Sequence, residues 1–205
     1  RSAIPIEEAW LEQSFPSVIR VDVQLEFDSQ KQKVIAFTRR YFHHLLLQED
    51  PHGRVDPAHS GPILAEALAA RARELFEQNE KSAQIIARTA LVRFHLPEIF
   101  GSPWPAFDDA HLRQLLLEAS VLKRGVAELT EGDALPNALR SALPYPLDRQ
   151  LDQLAPESIT VPSGSNIRIA YALPATPLAP PPAPILAVRL QELFGLLETP
   201  RIVNG

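Results

Sequence analysis

Few residues in this chain have the type and spacing to do chemistry. Pro162-Ser163-Gly164-Ser165 offers two hydroxyls and a run of backbone amides that could face a phosphate, with the cation of Arg168 close behind. The same residues also close a turn by themselves through hydroxyl-to-backbone hydrogen bonds, and that structural reading is the preferred one. Arg39 and Arg40 are the one pair of adjacent arginines, and Lys123 with Arg124 is the other basic doublet. Each doublet reads first as solvated charge, and Arg39 and Arg40 read second as a local contact to a nucleic-acid backbone. Arg189 and Gln191 flank an apolar stripe and are suited to seating this region on a neighbouring domain.

Other chemistries lack their residues. A nucleotide motor needs a glycine-rich loop whose amides cradle phosphates and a Lys that reaches the terminal one. None of the eight glycines is followed by Lys, and no acidic magnesium motif of the DEAH type is present. With no Cys there are no disulfides, thiolate nucleophiles or Cys-ligated zinc. His43 and His44 are adjacent on an expected strand and so point to opposite faces. His52, His59, His95 and His111 are scattered, so no metal site is expected. Ser163 and Ser165 flank Gly164 but do not form the nucleophile elbow, which needs glycine on both sides of the serine. Asp108 with Asp109, and Glu7 with Glu8, suit helix starts better than a general acid and base.

The chain has 205 residues, 45% of them hydrophobic, enough for one good core or two small ones. A net charge of −5 is the wrong sign for holding nucleic acid on a broad basic surface, so any such contact must be local. No apolar run reaches the roughly 20 residues of a membrane span, and no signal peptide is read at the N-terminus. The absence of Cys fits a reducing compartment, and a cytoplasmic location is expected. There is also no Met, so the chain is expected to be a piece of something longer.

The elements that must position these residues are legible as periods. Glu7 to Gln13 suits a short helix stopped by Pro16. Ile19, Val21, Val23, Leu25 and Phe27 alternate with polar residues, the pattern of a half-buried strand. Val34 to Leu47 reads as a second and third strand bent near His43 and His44. Residues 51–62, with three prolines and two glycines, read as a linker. Beyond it Leu64, Ala67, Leu68 and Leu75 mark one amphipathic helix, and Ile85, Thr89, Val92 and Leu96 a second that Pro97 ends. The aromatic-rich segment 100–107 is expected to pack on the helices. Asp108 should cap a helix carrying Leu112, Leu115, Leu116, Ala119 and Leu122 as far as Gly125. Short helices are expected at 133–143 and 146–154 around a corner at Leu143-Pro144-Tyr145-Pro146. A β-hairpin follows at 158–171, then a proline-rich surface insertion at 174–184. Last comes a helix at 185–194 whose stripe of Leu186, Leu190, Leu193 and Phe194 points on to Leu197, with Gly195 as its left-handed cap. The fold class is therefore α+β: an antiparallel β unit, a mainly helical middle, and a C-terminal hairpin plus helix.

Two strings, VPSGSNIRIAY at 161–171 and AVRLQELFGLLETPRI at 187–202, closely resemble the C-terminal region of the HrpB family of bacterial DEAH-box-type ATP-dependent helicases. Weaker similarity runs over most of the chain. The resemblance implies three parts. Residues 1–50 are a partial β unit like an oligonucleotide-binding barrel, 51–62 the linker, and 63–205 an HrpB-type C-terminal region. Such barrels need about five strands, so upstream strands are missing or the later hairpin completes the sheet. It also implies a parent motor that binds ATP and magnesium, whereas this chain carries neither cofactor. Its expected partners are single-stranded RNA or DNA and the motor domains of the same parent, with no membrane. The implied role is non-catalytic: bracing the motor, and guiding or gripping the strand through Arg39, Arg40, Ser163, Ser165 and Arg168, with Arg189 and Gln191 docking. The alternative is a protein-interaction module that touches no nucleic acid.

Overall fold

The computed structural model describes residues 7–99, 101–195 and 201–203. Phe100 and Leu197 lie outside them. The chain divides into two compact units, residues 1–68 with 120–131, and residues 69–119 with 132–205. The α+β class holds, with mixed helix and antiparallel sheet.

In the first unit α1 (Glu8–Ser14) ends before Pro16, which opens a 3-10 turn. The alternating segments form an antiparallel meander, β1 (Ile19–Asp28), β2 (Lys33–Phe42) and β3 (Leu45–Gly53), with β2 in the middle. The polar turn at 29–32 is set by the Asp28 carboxylate, which accepts from the backbone N–H of Gln30 at 2.8 Å and Lys31 at 3.0 Å.

Residues 51–62, expected as a linker, hold the end of β3 and half of α2 (Pro57–Leu68). Two of the three prolines stand where they cost little, and the third, Pro62, lies inside α2. Pro51 lies on an edge strand, and Pro57 opens a helix where its missing N–H costs nothing. Asp56 accepts from Ala58 N at 3.0 Å and so serves the helix start. α2 packs on β1 and β2 and buries Leu64, Ala65 and Leu68.

The segment 120–131, with α6 at Val126–Thr130, is pinned to this unit by hydrogen bonds rather than by a large apolar face. Ser60 Oγ donates to the Lys123 carbonyl at 2.7 Å. A Cβ at Gly61 would meet the Ser120 carbonyl oxygen at 2.6 Å, so the close approach needs glycine.

The second unit holds α3 (Ala72–Gln78), α4 (Glu80–His95) and α5 (Asp109–Ala119), then α7 (Ala134–Ser141) and α8 (Leu147–Leu154). A two-residue pair, β4 (Glu98–Ile99) and β5 (Ser102–Pro103), lies between α4 and α5. Leu112, Leu116, Leu135, Leu139, Leu147 and Leu151 are fully buried, each worth about 1.5–3 kcal/mol of removed apolar surface. Asp108 caps α5 as expected, accepting from His111 N at 2.8 Å. Trp104 and Phe107 are buried, in line with the packing expected of that segment.

Three expectations about elements need correction. The helix through Leu64 and Leu75 is broken by a 3-10 turn at Ala69–Arg71, so those residues belong to α2 and α3. α5 ends at Ala119, and Leu122 lies beyond it, exposed and at φ 59°. The helix expected at 185–194 is instead a short strand, β8 (Ile185–Leu186), and a 3-10 turn at Leu190–Leu193. The hairpin is as expected, β6 (Ser158–Thr160) paired with β7 (Asn166–Ala170), but the free edge of β7 takes Ile185 and Leu186 as a third strand. Bonding to that edge satisfies the backbone at 185–186 that a helix would otherwise have had to satisfy internally. Gly195 does adopt the left-handed conformation, at φ 94°. β6, β7 and β8 form a sheet of their own and do not complete the first one.

One buried charge ties the second unit together. The Arg88 guanidinium, on α4 and fully buried, donates to the Ala155 carbonyl at 2.5 Å, Asp152 at 2.5 Å and Glu157 at 2.9 Å. Arg140 on α7 reaches the same two carboxylates, at 3.1 Å and 3.3 Å. Burial pushes the Asp152 carboxyl up, but hydrogen bonds from Arg88 and Arg140 outweigh it and hold the group below its ordinary 3.8. Tyr171 lies in the same region, its hydroxyl donating to the Pro156 carbonyl at 2.7 Å. Burial pushes that phenol up to about 12.

Replacing Arg88 with Met leaves the Ala155 carbonyl without its donor and the two carboxylates with Arg140 alone, and should lower the unfolding free energy by about 2–4 kcal/mol at neutral pH. Because the folded Asp152 carboxyl lies below 3.8, its stabilisation is complete above that value and is lost as the pH falls through the lower folded value. Urea denaturation across the acid range should therefore show a steeper fall for the native chain than for Arg88→Met. Parallel curves would contradict this role for Arg88.

Candidate nucleic-acid interface

Arg39 and Arg40 are neighbours on β2, so their side chains leave opposite faces of the sheet. Residues directly across a ladder share a face. Arg39 stands between Asp22 and Glu49, and Arg40 between Val21 and Gln48. The doublet is therefore not a single basic patch.

Both charges are already matched. Arg39 donates to Glu49 at 2.6 Å, Glu26 at 2.7 Å and Gln24 at 2.6 Å, and its side chain is only 17% exposed. Hydrogen bonds to Glu26 and then Glu49 drive its pKa still higher. Arg40 pairs with Glu12 of α1, on the face where Phe15 of the following turn meets Phe42 edge-on. A phosphate arriving at either guanidinium would have to displace a carboxylate.

Ser163, Ser165 and Arg168 belong to the second unit. The two hydroxyls lie 3.2 Å apart, and Ser163 Oγ accepts from Ser165 N at 3.4 Å, while Gly164 takes the left-handed conformation at φ 86°. This is a self-satisfied hairpin turn. Ser163 N donates to the Glu192 carbonyl at 3.4 Å, which ties that turn to the 3-10 segment. Arg168 donates to Glu80 at 2.5 Å, and both are well exposed. Arg189 just before that segment and Gln191 within it are exposed, and Glu192 accepts from Arg189 N at 3.3 Å.

Sequence reasoning also missed a feature of the first sheet. The alternation at Ile19 to Phe27 was expected to bury its apolar side, yet Val21 is 57% and Val23 62% exposed. On β3, Leu45 is 63% exposed, and Phe42, which lies across from it, shares its face. The buried part of the sheet lies at the other end, around Val34, Ile35 and Ala36. The alternating pattern gives the face but not what covers it.

Arg39→Gln should act on stability, lowering the denaturation midpoint with the loss of its carboxylate partners, and should change binding to a single strand less than about twofold. Chemical denaturation and a strand-binding titration on the same variant check both. A large binding loss at unchanged stability would contradict the structural role.

Residues 116–205 match the family described as ATP-dependent helicase C-terminal, HrpB_C. Over 199 residues the chain is 28% identical to the ATP-dependent RNA helicase HrpB of Escherichia coli (strain K12), covering 95% of this chain and 23% of that protein. The crystal structure of the E. coli DExH-box NTPase HrpB superposes with a TM-score of 0.61 at 25% identity, covering 98% of this chain and 24% of the other. A crystal structure of the Escherichia coli DEAH/RHA helicase HrpB gives the same TM-score of 0.61 at 26% identity, over 94% and 24%. The chain thus spans about a quarter of the length of these relatives. The family match over residues 116–205, the similarity along nearly all of the chain and the shared fold agree: the chain is similar to the C-terminal region of HrpB-family helicases.

Proposed function

We propose that this chain is the non-catalytic accessory part of an ATP-dependent helicase, bracing the motor domains of its parent and holding a single strand of RNA or DNA as the motor moves it. ATP and magnesium belong to the parent's motor, since no loop here has the sequence to cradle a triphosphate. No helix among the described residues is long and apolar enough to cross a membrane, and a cytoplasmic setting is part of the same reading.

The observation that carries the bracing role is the apolar exposure at one end of the first sheet, beside the contacts of Glu12 and Phe15 with Arg40 and Phe42. Val21, Val23 and Leu45 put exposed apolar side chains on one antiparallel surface. Clustered apolar exposure of this kind marks a contact surface. The relatives are about four times as long as this chain, so a parent of that length has chain to spare for the contact. A plain interaction module remains the second reading, favoured by the net charge of −5.

The test uses the full-length parent. Val21→Asp with Val23→Asp, placing two charges on that surface, should slow unwinding about tenfold or more while ATP binding is retained. Unwinding at the native rate would overturn the bracing role.

A further inference from the structure

Nearly every arginine discussed above is neutralised by a carboxylate. At the β1–β2 turn the pattern reverses. A cleft of about 400 Å³ in the first unit is lined by Lys31, Lys33 and Arg124, with Glu128 as its sole acidic side chain. Lys31, Lys33 and Arg124 are all exposed. Among the described residues the Lys33 ammonium and the Arg124 guanidinium make no hydrogen bond or ion pair. Lys31 has only a long contact to Asp28, at 3.8 Å. Glu128 is turned toward the backbone, accepting from Arg124 N at 3.3 Å.

The backbone holds these charges where they are. Val34 N donates to the Arg124 carbonyl at 2.7 Å and Val126 N to the Gln32 carbonyl at 3.0 Å, so Lys33 and Gly125 sit opposite each other in an antiparallel bridge. A Cβ at Gly125 would come within 3.3 Å of Lys33 Cβ, so only glycine allows this approach without a shift. Asp28 acts on Lys31 and Lys33 from the turn, but three cationic side chains against Glu128 still leave the lining of the recess net positive, which favours an entering anion. The floor beneath them is Val34 and Ala36, both buried, and no aromatic ring lines the cleft. It therefore offers nothing for a base to stack on, and no deep pocket for the apolar anchor of a peptide.

We propose that the cleft framed by Lys31, Lys33 and Arg124 grips the phosphodiester backbone of a single strand without reading its sequence. This rests on the strand-holding role proposed above and moves the contact away from Arg39, Arg40 and Arg168. Such a grip is purely ionic and should be strongly weakened by salt.

Fluorescence anisotropy of the whole chain with labelled oligo-uridine RNA and oligo-thymidine DNA, from about 20 to 200 mM salt, tests it. Lys33→Gln with Arg124→Gln should weaken both strands about tenfold and reduce the salt slope by about 1.4, at about 0.7 per phosphate contact. Thermal melting of the variant should match the native chain. Arg168→Gln should bind as the native chain does. Native-like binding by the double variant, with loss in Arg168→Gln, would overturn the cleft but leave strand holding in place. No binding of either strand by the native chain at low salt would overturn both. Loss confined to RNA would contradict a contact to phosphate alone, and tighter capture of an oligo-glutamate peptide through the same residues would replace nucleic acid with an acidic protein as the ligand.

Discussion

The second unit depends on a guanidinium that water does not reach. Arg88 comes from the middle of α4, yet its partners lie 64 to 69 positions further along, at Asp152, Ala155 and Glu157. Burying a lone charge is prohibitive, so α8 and the residues after it have to be in place whenever α4 is packed. Arg140 shares the carboxylates and brings α7 into the same constraint. The leucines supply most of the apolar burial, but leucine contacts tolerate sliding. The forked, directional bonds of Arg88 do not, and they fix how the chain leaves the helices for β6 and β7.

The same rule of charge matching separates structural cations from free ones elsewhere. Arg39, Arg40, Arg73, Arg140 and Arg168 all face carboxylates. In a chain of net charge −5 this is the expected fate of a cation, and a surface of matched pairs has little hold on a polyanion. Lys33 and Arg124 are brought together by a backbone bridge, and neither side chain has a carboxylate in direct contact among the described residues, although Asp28 acts on Lys33 from the turn and Glu128 lines the same cleft. An acidic protein can in this way keep one local site for phosphate.

Much of the architecture was legible because it is periodic. The alternation at 19–27 gave β1, helical spacing gave α4 and α5, and Asp108 marked the start of α5 by cap chemistry alone. What escaped was decided at a distance. Ile185 to Phe194 fits a helix on spacing, but the open edge of β7 competes for it, and that edge exists only once the hairpin has formed. Proline density at 51–62 suggested a linker, whereas Pro51 stands on a strand edge, Pro57 at a helix start, and α2 runs on through Pro62. For the candidate site the doublet at 39–40 drew attention by adjacency, although adjacency on a strand sends two side chains apart. Lys33 and Arg124 are 91 positions apart and meet only through the bridge at Gly125. No local pattern could pair them.

The central claim is that unmatched charge, and not the most conspicuous basic doublet, marks where a strand is held. The direct measurement is amide chemical-shift mapping of the nitrogen-labelled chain during titration with an unlabelled single strand. Shifts concentrated at residues 31–36 and 124–128, with Ser163 to Arg168 unmoved, are the expected result. Shifts centred on Ser163 to Arg168 or on Arg39 and Arg40, with 31–36 silent, would contradict it.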